Sequence, residues 1–600
     1  MAACRATVYN GRMPAARRSP VRFLLPAAAF VVACLTAMPV AAAERPNVLL
    51  IVADDLGYSD LGCYGGEIAT PNLDALAADG VRLTQFHTTA RCCPSRAALL
   101  TGQYPHRVGL GHMTQDIGRP GYRGSLDAAA PTIADALDGY QSFAIGKWHL
   151  GTPDPTAHGF EASYGSLVSA KSYWAESFPV HIADDMPPDT AERLRAALAE
   201  PDPLPYATDR LADAALGVLD VARETPETPE TPWFLYLAFN APHFPLHAPP
   251  EDIARYADRY AGGWDRLREE RLSRMVALGL VPSGTELPPR SRYWNYGQTE
   301  TGRNPAWETL PSARRTDLAR RMAIYAAMID RMDRQIGRVL DSLDRHGERD
   351  DTLVVFLSDN GSCAEWSPTG FDIESSNQNI LHTGDALGAM GQTGSYHSVG
   401  SGWANAANTP WRLYKHFCHQ GGVLSPCLVR WPGVTDAVAG SLDATPTHLI
   451  DILPTLLDAA GVDETETHRG EPVPPLPGRS LREALASEGP LDDAAQPRAI
   501  YLEHEGHRGV RRGRWKLVAL SGQPWELYDL ASDRTELHDV SGTHESRVAE
   551  MAADWDRWAE RNRVTPLPDD YQVRYLAPKV AKPSLKPSSE PSSEPSQPTE

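Results

Sequence analysis

The chain has 600 residues, with 57 Lys and Arg against 77 Asp and Glu, a net charge of −20, 42% apolar residues and 22% charged ones. That balance is globular rather than disordered or fibrous, and the length accommodates one large domain and a smaller one. The negative field repels nucleic-acid phosphates, which excludes DNA or RNA binding as a main role, so an anionic substrate has to meet a locally basic pocket.

Residues 1–43 read as an export signal. They hold five Arg and no Lys or acidic residue, so their removal takes the net charge from −20 to −25. Arg17, Arg18 and Arg22 precede an apolar run from Phe23 to Val40, and Ala41-Ala42-Ala43 provides small residues before Glu44. The run barely reaches spanning length and contains Pro26 and Pro39, so no transmembrane helix is expected in the mature chain. Val31-Val32-Ala33-Cys34 also resembles a loose bacterial lipoprotein signal. The expected location is therefore the periplasm or the outside, with lipoprotein anchoring as a second route. Cys63, Cys92, Cys93, Cys363, Cys418 and Cys427 follow the signal. They are too few for a disulfide scaffold and lack the paired spacing of a structural zinc site. Their number is compatible with one or two disulfides, which spacing does not pair.

Short apolar runs then alternate with helical patterns. Asn47–Ala53, Tyr140–Ile145, Trp233–Ala238, Thr352–Leu357 and Pro426–Trp431 read as buried parallel strands. Pro71–Asp79, Ala313–His346 and Thr447–Ala460 read as helices. This alternation predicts an α/β fold with a large, mainly parallel sheet flanked by helices, over residues 44–480. Asp252–Glu308 and Cys363–Asn408 read as loop-rich insertions of the kind that carry specificity. After residue 480 the runs Arg498–Glu503, Gly509–Arg512, Trp515–Leu520 and Glu526–Asp529 are short and turn-linked. They predict a small antiparallel sheet, and Ser546–Arg561 a helix packed on it, in a C-terminal α+β subdomain over 481–577. Residues 578–600 are rich in Pro, Ser and Glu and predict a disordered tail.

In an open parallel sheet ligands bind beyond the carboxyl ends of the strands. Asn47–Ala53 leads into Asp54-Asp55, and Thr352–Leu357 leads into Asp359-Asn360. Tyr140–Ile145 leads into Lys147 and His149, and Trp233–Ala238 into Asn240 and His243. Pro426–Trp431 is instead preceded by its candidate, Lys415. Asp54, Asp55, Asp359 and Asn360 offer oxygen ligands, which select a hard cation, Ca²⁺ or Mg²⁺, over zinc. Helix capping would explain any single Asp at such a position, but not the two pairs together.

The sharpest motif is Cys92-Cys93-Pro94-Ser95-Arg96, which runs into Ala-Ala-Leu-Leu-Thr-Gly. Pro94 is placed to open a helix and Gly102 to close it. Arg96, four residues on, would share a side with Cys92, and the helix N-terminus favours an anion there. A buried cysteine pair and an ordinary thiolate nucleophile fit the same residues.

C-x-P-S-R followed by A-A-L-L-T-G resembles the signature of the type I sulfatases of the alkaline phosphatase superfamily. The resemblance extends through RPNVLLIVADDLGYSDLGCYGG, TPNLDALAADGVRLTQFH, GKWHLG, NAPHFPLHAP, FLSDNG and YKHFCHQGG, and the tail WKLVALSGQPWELYDLASDRTEL resembles the C-terminal subdomain of that family. It implies that a formylglycine-generating enzyme oxidises Cys92 to formylglycine, whose hydrate is the nucleophile. Cys93 would stay a thiol or join a disulfide. Asp54, Asp55, Asp359 and Asn360 would hold a single Ca²⁺, with residue 92 as a further ligand and Mg²⁺ as the weaker choice. Arg96 would stabilise the hydrate and the developing charge, and Lys147 and Lys415 would bind sulfate oxygens. His149 would take the hydrate proton as sulfate leaves. His243 would protonate the leaving alcohol together with Lys415. His247, His416 and His419 are read as rim or structural residues, and Trp403, Trp411 and Trp431 as packing.

The expected activity is hydrolysis of a sulfate ester in a sulfated carbohydrate or an aryl sulfate. Two rivals stand beside it. One is a formylglycine-dependent phosphonate or phosphate ester hydrolase, which shares the C-x-P-x-R logic. Asn360, standing where two-zinc relatives have His, disfavours a zinc pair. The other rival is a non-catalytic binder of sulfated glycans.

Overall fold

Val48 through Ala53 are all fully buried, so Asn47–Asp54 (β1) forms the middle of a sheet with both faces covered. The computed structural model describes residues 45–567 except 128, 170, 175, 225–230, 296–298, 374–377 and 492–496. The expected export signal and the Pro/Ser/Glu-rich tail lie outside the described residues.

The other strands of this sheet, in chain order, are Val81–Leu83 (β2), Gln141–Gly146 (β3), Ala162–Tyr164 (β4), Val180–Ile182 (β5), Trp233–Pro242 (β6), Thr352–Ser358 (β7), Cys427–Arg430 (β8) and Leu442–Asp443 (β9). They form a nine-stranded sheet in the order β9-β2-β8-β7-β1-β6-β3-β4-β5. β7, β1, β6, β3 and β4 run parallel throughout. β8 is antiparallel to both β7 and β2, and β5 is antiparallel to β4. The expectation that Pro426–Trp431 is a parallel strand is therefore corrected. Cys427 pairs with Leu357, near the carboxyl end of β7. A parallel strand would need a crossover of a dozen residues back to the far edge. The segment that carries Lys415 already lies at the carboxyl edge, so the chain can only run back.

Side chains of β1 alternate between two cores. Leu49, Ile51 and Ala53 meet residues of the helices Pro71–Asp79 (α1), Ala207–Glu224 (α3), Gly263–Ala277 (α4) and Ser312–His346 (α5). Val48, Leu50 and Val52 meet the opposite layer, which includes Cys92–Thr101 (α2) and Ile452–Ala460 (α7). α2 begins two residues before Pro94. As the third helical residue, Pro94 still lacks only an N–H that has no intrahelical partner. Gly102 closes the helix in the left-handed conformation, φ 63°, as expected. Thr447-His448 is a short strand, and the helix predicted from Thr447 starts at Ile452.

The interval Asp252–Glu308 is not mainly loop. It contains α4 and a hairpin, Arg292–Asn295 with Thr299–Arg303. The buried side of α4 is Trp264, Leu267, Arg268, Arg271 and Met275, so two arginines interrupt its apolar stripe. Arg271 is held by Asp60 at 2.7 Å and Glu67 at 2.8 Å. Within Cys363–Asn408, Ser401–Ala407 (α6) is a fully buried helix.

At the C-terminal end Ala499–His504 (β10), His507–Arg512 (β11), Trp515–Ala519 (β12) and Glu526–Asp529 (β13) form the predicted antiparallel sheet, in that order. Helix Glu545–Arg561 (α8) packs Met551, Trp555 and Trp558 against it. The C-terminal part of the chain also grips the segment on either side of Lys415. Lys516 Nζ donates to Gln420 Oε1 at 3.0 Å, Gln420 N donates to Glu536 Oε2 at 2.9 Å, and Arg412 pairs with Glu526 at 2.8 Å.

Candidate active site

Two adjacent parallel strands end in acidic pairs. The β1–β7 register sets Ala53 opposite Ser358, so Asp54-Asp55 and Asp359-Asn360 leave the sheet side by side. Asp359 N donates to Ala53 O at 3.1 Å, and Asp55 N donates to Asp359 Oδ1 at 3.3 Å. Asp55 has φ 66°, an uncommon left-handed conformation for a residue with a Cβ. His149 (φ 59°) and His416 (φ 82°) share it. Strained backbone of this kind persists where the surroundings over-determine it, and it concentrates at functional sites.

The structure brings together all ten residues named from the sequence, and each is buried. Lys147, just beyond β3, donates to Asp54 Oδ2 at 2.5 Å. Lys415 donates to both oxygens of Asp55, at 2.7 and 2.8 Å. Arg96 Nε donates to Asp359 Oδ2 at 2.9 Å, and its Nη1 donates to Lys147 O at 2.7 Å and to Tyr236 Oη at 3.2 Å. His243 stands with Nε2 3.5 Å from Asp55 Oδ2, its Nδ1 fixed by Phe244 O at 2.6 Å. Cys92, at the start of α2, clusters with Cys93 and His149, with their ligand atoms within 4.8 Å of one another. Cys63, Cys92, Cys93, Cys363, Cys418 and Cys427 are all buried and free, so the one or two disulfides compatible with the sequence do not form among them.

Asn360 Nδ2 donates to Asp55 Oδ1 at 2.6 Å and to Gly361 O at 3.0 Å, which turns its Oδ1 the other way. That oxygen and Asp54 Oδ1 are buried without hydrogen-bond partners among the described residues. Unpaired buried acceptors are costly, and here they lie in one oxygen-rich cluster. Such a donor set could hold a hard divalent cation.

Burial raises the Asp54 carboxyl, but Lys147, His243 and Arg96 outweigh it and hold the group down to about 2. Burial and the Asp54 charge push Asp359 up to about 8. Two neighbouring buried carboxyls resist joint ionisation unless another positive charge joins them. Burial, reinforced by the Lys147 ammonium, lowers His149 to about 4, which leaves it a neutral imidazole near pH 7. The Cys93 thiol, hydrogen-bonded to Cys92, lowers the Cys92 thiol well below its ordinary value against the effect of burial, and Lys147, His149 and Lys415 add to this.

Tyr236 and the buried pair Arg91–Glu365, 3.3 Å apart, were not legible in the sequence. Tyr236 lies inside the apolar run of β6, where a hydroxyl reads as packing. Glu365 is one polar residue among many in a loop. His247 bonds Tyr173 N and Ser395 O, and Trp403 and Trp411 are fully buried, in keeping with structural readings.

The sulfatase family profile matches residues 46–462, well over half of the chain. The chain belongs to the sulfatase family. Its members are sulfuric ester hydrolases, and this one is accordingly an enzyme of that class. A second profile, the C-terminal region of N-sulphoglucosamine sulphohydrolase, matches residues 410–556. This sulfatase is 32% identical over 575 residues to an uncharacterised sulfatase of Schizosaccharomyces pombe, covering 88% of this chain and 96% of the relative. It is 34% identical over 450 residues to an arylsulfatase of Klebsiella aerogenes, covering 73% and 91%. The i-CgsB protein, solved with a k-i-k-neocarrahexaose, shares the fold with a TM-score of 0.59 at 24% identity, covering 89% of this chain and 97% of that one. Among the described residues no helix is long and apolar enough to cross a membrane.

Proposed function

We propose that this sulfatase hydrolyses sulfate esters to an alcohol and inorganic sulfate at residue 92, after a formylglycine-generating enzyme has oxidised Cys92 to formylglycine, and that Asp54, Asp55, Asp359 and Asn360 hold one Ca²⁺. One observation carries the reading. The Cys92 side chain stands at a sheet edge where two ammonium groups, a guanidinium and the unpartnered oxygens of Asp54 and Asn360 converge.

The hydrated aldehyde supplies two geminal hydroxyls, one to take the sulfuryl group and one whose ionisation later expels it as sulfate. The cation supplies Lewis acidity toward the sulfate and the attacking hydroxyl. The remaining work falls to the chain. Lys147 and Lys415, each already held by one carboxylate, present charge to an anionic group without reorganising, which is the largest catalytic contribution expected here. Arg96 is fixed by Asp359, the Lys147 carbonyl and Tyr236, so it fixes the geometry around residue 92. His149, neutral near pH 7, takes a proton from residue 92. His243 gives one to the departing alcohol oxygen, since Phe244 O fixes its Nδ1 as a donor and leaves Nε2 to exchange the proton.

A sulfated carbohydrate or aryl sulfate is the natural substrate on this reading. The 34% identical arylsulfatase supports it. The chain is exported on the same reading.

The test has two parts. Mass spectrometry of the peptide that contains Cys92, taken from the native host, is expected to show formylglycine. kcat/KM is then compared on the sulfate and phosphate esters of one alcohol, with sulfate expected to win. A phosphate preference of orders of magnitude would point to the phosphonate or phosphate hydrolase, and an unmodified cysteine from the native host to the glycan binder.

A further inference from the structure

A second cluster of ligating side chains lies next to the first site. His504 and Glu505 are at the tip of the β10–β11 hairpin, His112 lies in the stretch after α2, and His416 follows Lys415. The hairpin turns through Glu505 (φ 52°) and Gly506 (φ 82°), a two-residue turn with both centres left-handed. Asn-Gly or Asp-Gly is the ordinary choice there, because a longer side chain gains nothing locally from the strain. Glu505 gains something at a distance instead.

Its carboxylate meets three imidazoles. Glu505 Oε1 is 3.1 Å from His112 Nε2 and 3.5 Å from His504 Nε2, and Oε2 is 3.6 Å from His416 Nδ1. The side chains of all four residues are buried, with Glu505 the most accessible at 8%. Arg91, the nearest cation, is engaged by Glu365 at 3.3 Å and touches His416 Nδ1 at 2.8 Å. Glu365 Oε1, 3.2 Å from His416 Nε2, takes the proton there, so the lone pair of His416 is at Nδ1, where Arg91 now donates and a cation would have to displace it. His504 is fully buried, and among the described residues its ring nitrogens have no partner closer than Glu505 Oε1, 3.5 Å from Nε2. Such an imidazole is costly unless a ligand takes its lone pair.

We propose that His112, His416, His504 and Glu505 form a second metal site, for a borderline divalent cation such as Zn²⁺. The ligand atoms of His416, His504 and Glu505 lie within 4.8 Å of one another, so bonds of about 2.0–2.2 Å need them to draw together, and His112, 3.1 Å from Glu505 Oε1, stands beside them to complete a tetrahedron. Three nitrogens and one carboxylate select Zn²⁺ and its neighbours in the transition series, not Ca²⁺, so the two sites sort different metals. Such a metal would tie the C-terminal hairpin to the residue next to Lys415. It would hold the sheet against the catalytic edge.

The experiment is Zn²⁺ titration of the full chain by calorimetry, after chelation and with Ca²⁺ restored, supported by the visible spectrum of the Co²⁺-loaded protein. Cys92, Cys93 and His149 are a competing ligand set, so the titration is repeated with Cys92→Ser. We expect one Zn²⁺ per chain, tetrahedral Co²⁺ bands, and binding that survives Cys92→Ser. Affinity is expected to fall by about 100-fold or more in His504→Ala, Glu505→Gln and His112→Gln. Circular dichroism identifies the variants that fold, and any one of the three suffices. Absence of Zn²⁺ binding overturns the proposal. So does binding lost in Cys92→Ser and kept in the folded variants of the cluster.

Discussion

Each side chain at the site is held by a partner that limits what it can do. His243 is pinned through Nδ1, so its Nε2 serves the leaving group. Replacing it with Ala is expected to cost about 10²–10⁴-fold in kcat on sulfate esters of poorly acidic alcohols. The loss should be only a few-fold on activated aryl sulfates, which leave without a proton. Steady-state kinetics on both substrates checks this, and equal losses would remove the role. The adjacent cysteines divide in the same way. Cys92→Ala should take turnover to background in a folded protein. Cys93→Ser should change kcat/KM by no more than a few-fold, because the Cys93 thiol reaches only Met113 Sδ at 3.6 Å, apart from its bond to Cys92. Sulfate release by the two purified variants is the measurement, and the reverse pattern would mean that the wrong cysteine carries the chemistry.

The site depends on the ends of strands, and so on how closely the strands approach. Gly146 ends β3 one residue before Lys147, with φ 108°, and a Cβ there would stand 1.9 Å from the Ala238 carbonyl oxygen of β6. That atom is backbone and cannot move aside as a side chain could. Gly146→Ala should therefore push β3 from β6 and carry Lys147 away from Asp54. The expected cost is about 2–4 kcal/mol of stability, from strain and lost sheet bonds. The activity of the fraction that remains folded should also fall. Urea unfolding followed by kinetics under native conditions separates the two effects, and full activity in a folded variant would show that the strand gap is not what positions Lys147.

Across the whole molecule, histidines buried without charge make stability depend on pH. His448, beneath the C-terminal subdomain, is lowered to about 3 by burial, with Arg498 adding to it, and burial lowers His247 to about 4. Both fall below the unfolded value of about 6.5. The fold therefore prefers the neutral forms. Their contribution is complete above about pH 6.5 and is lost as the pH falls toward 4 and 3, at up to about 1.4 kcal/mol per unit for each group. The urea midpoint should drop between about pH 7.5 and about pH 5. His448→Asn keeps an acceptor for Ile450 N, which His448 Nδ1 now provides at 3.2 Å, but does not titrate. It should flatten part of that drop, and an unchanged slope would mean that other groups set the acid limit.

The chemistry of this protein is local in the sequence because reactive groups must follow strand ends directly. A run of six buried apolar residues followed by Asp54-Asp55 defines both a central strand and its ligands, and Cys92 to Gly102 defines a helix and what stands at its start. Long-range geometry was not legible in this way. The direction of β8 depends on where the preceding segment lies, and that direction explains why Lys415 precedes its strand when the other strand-linked candidates follow theirs. α4 was hidden because Arg268 and Arg271 interrupt its buried stripe, and only Asp60 and Glu67, some two hundred residues away in sequence, make Arg271 tolerable there. The Glu505 cluster draws on three distant segments, none of which has a recognisable spacing. Covalent neighbours determine composition and strand exits, whereas pairing across the sheet and between subdomains is decided by burial, which acts on residues far apart in the chain.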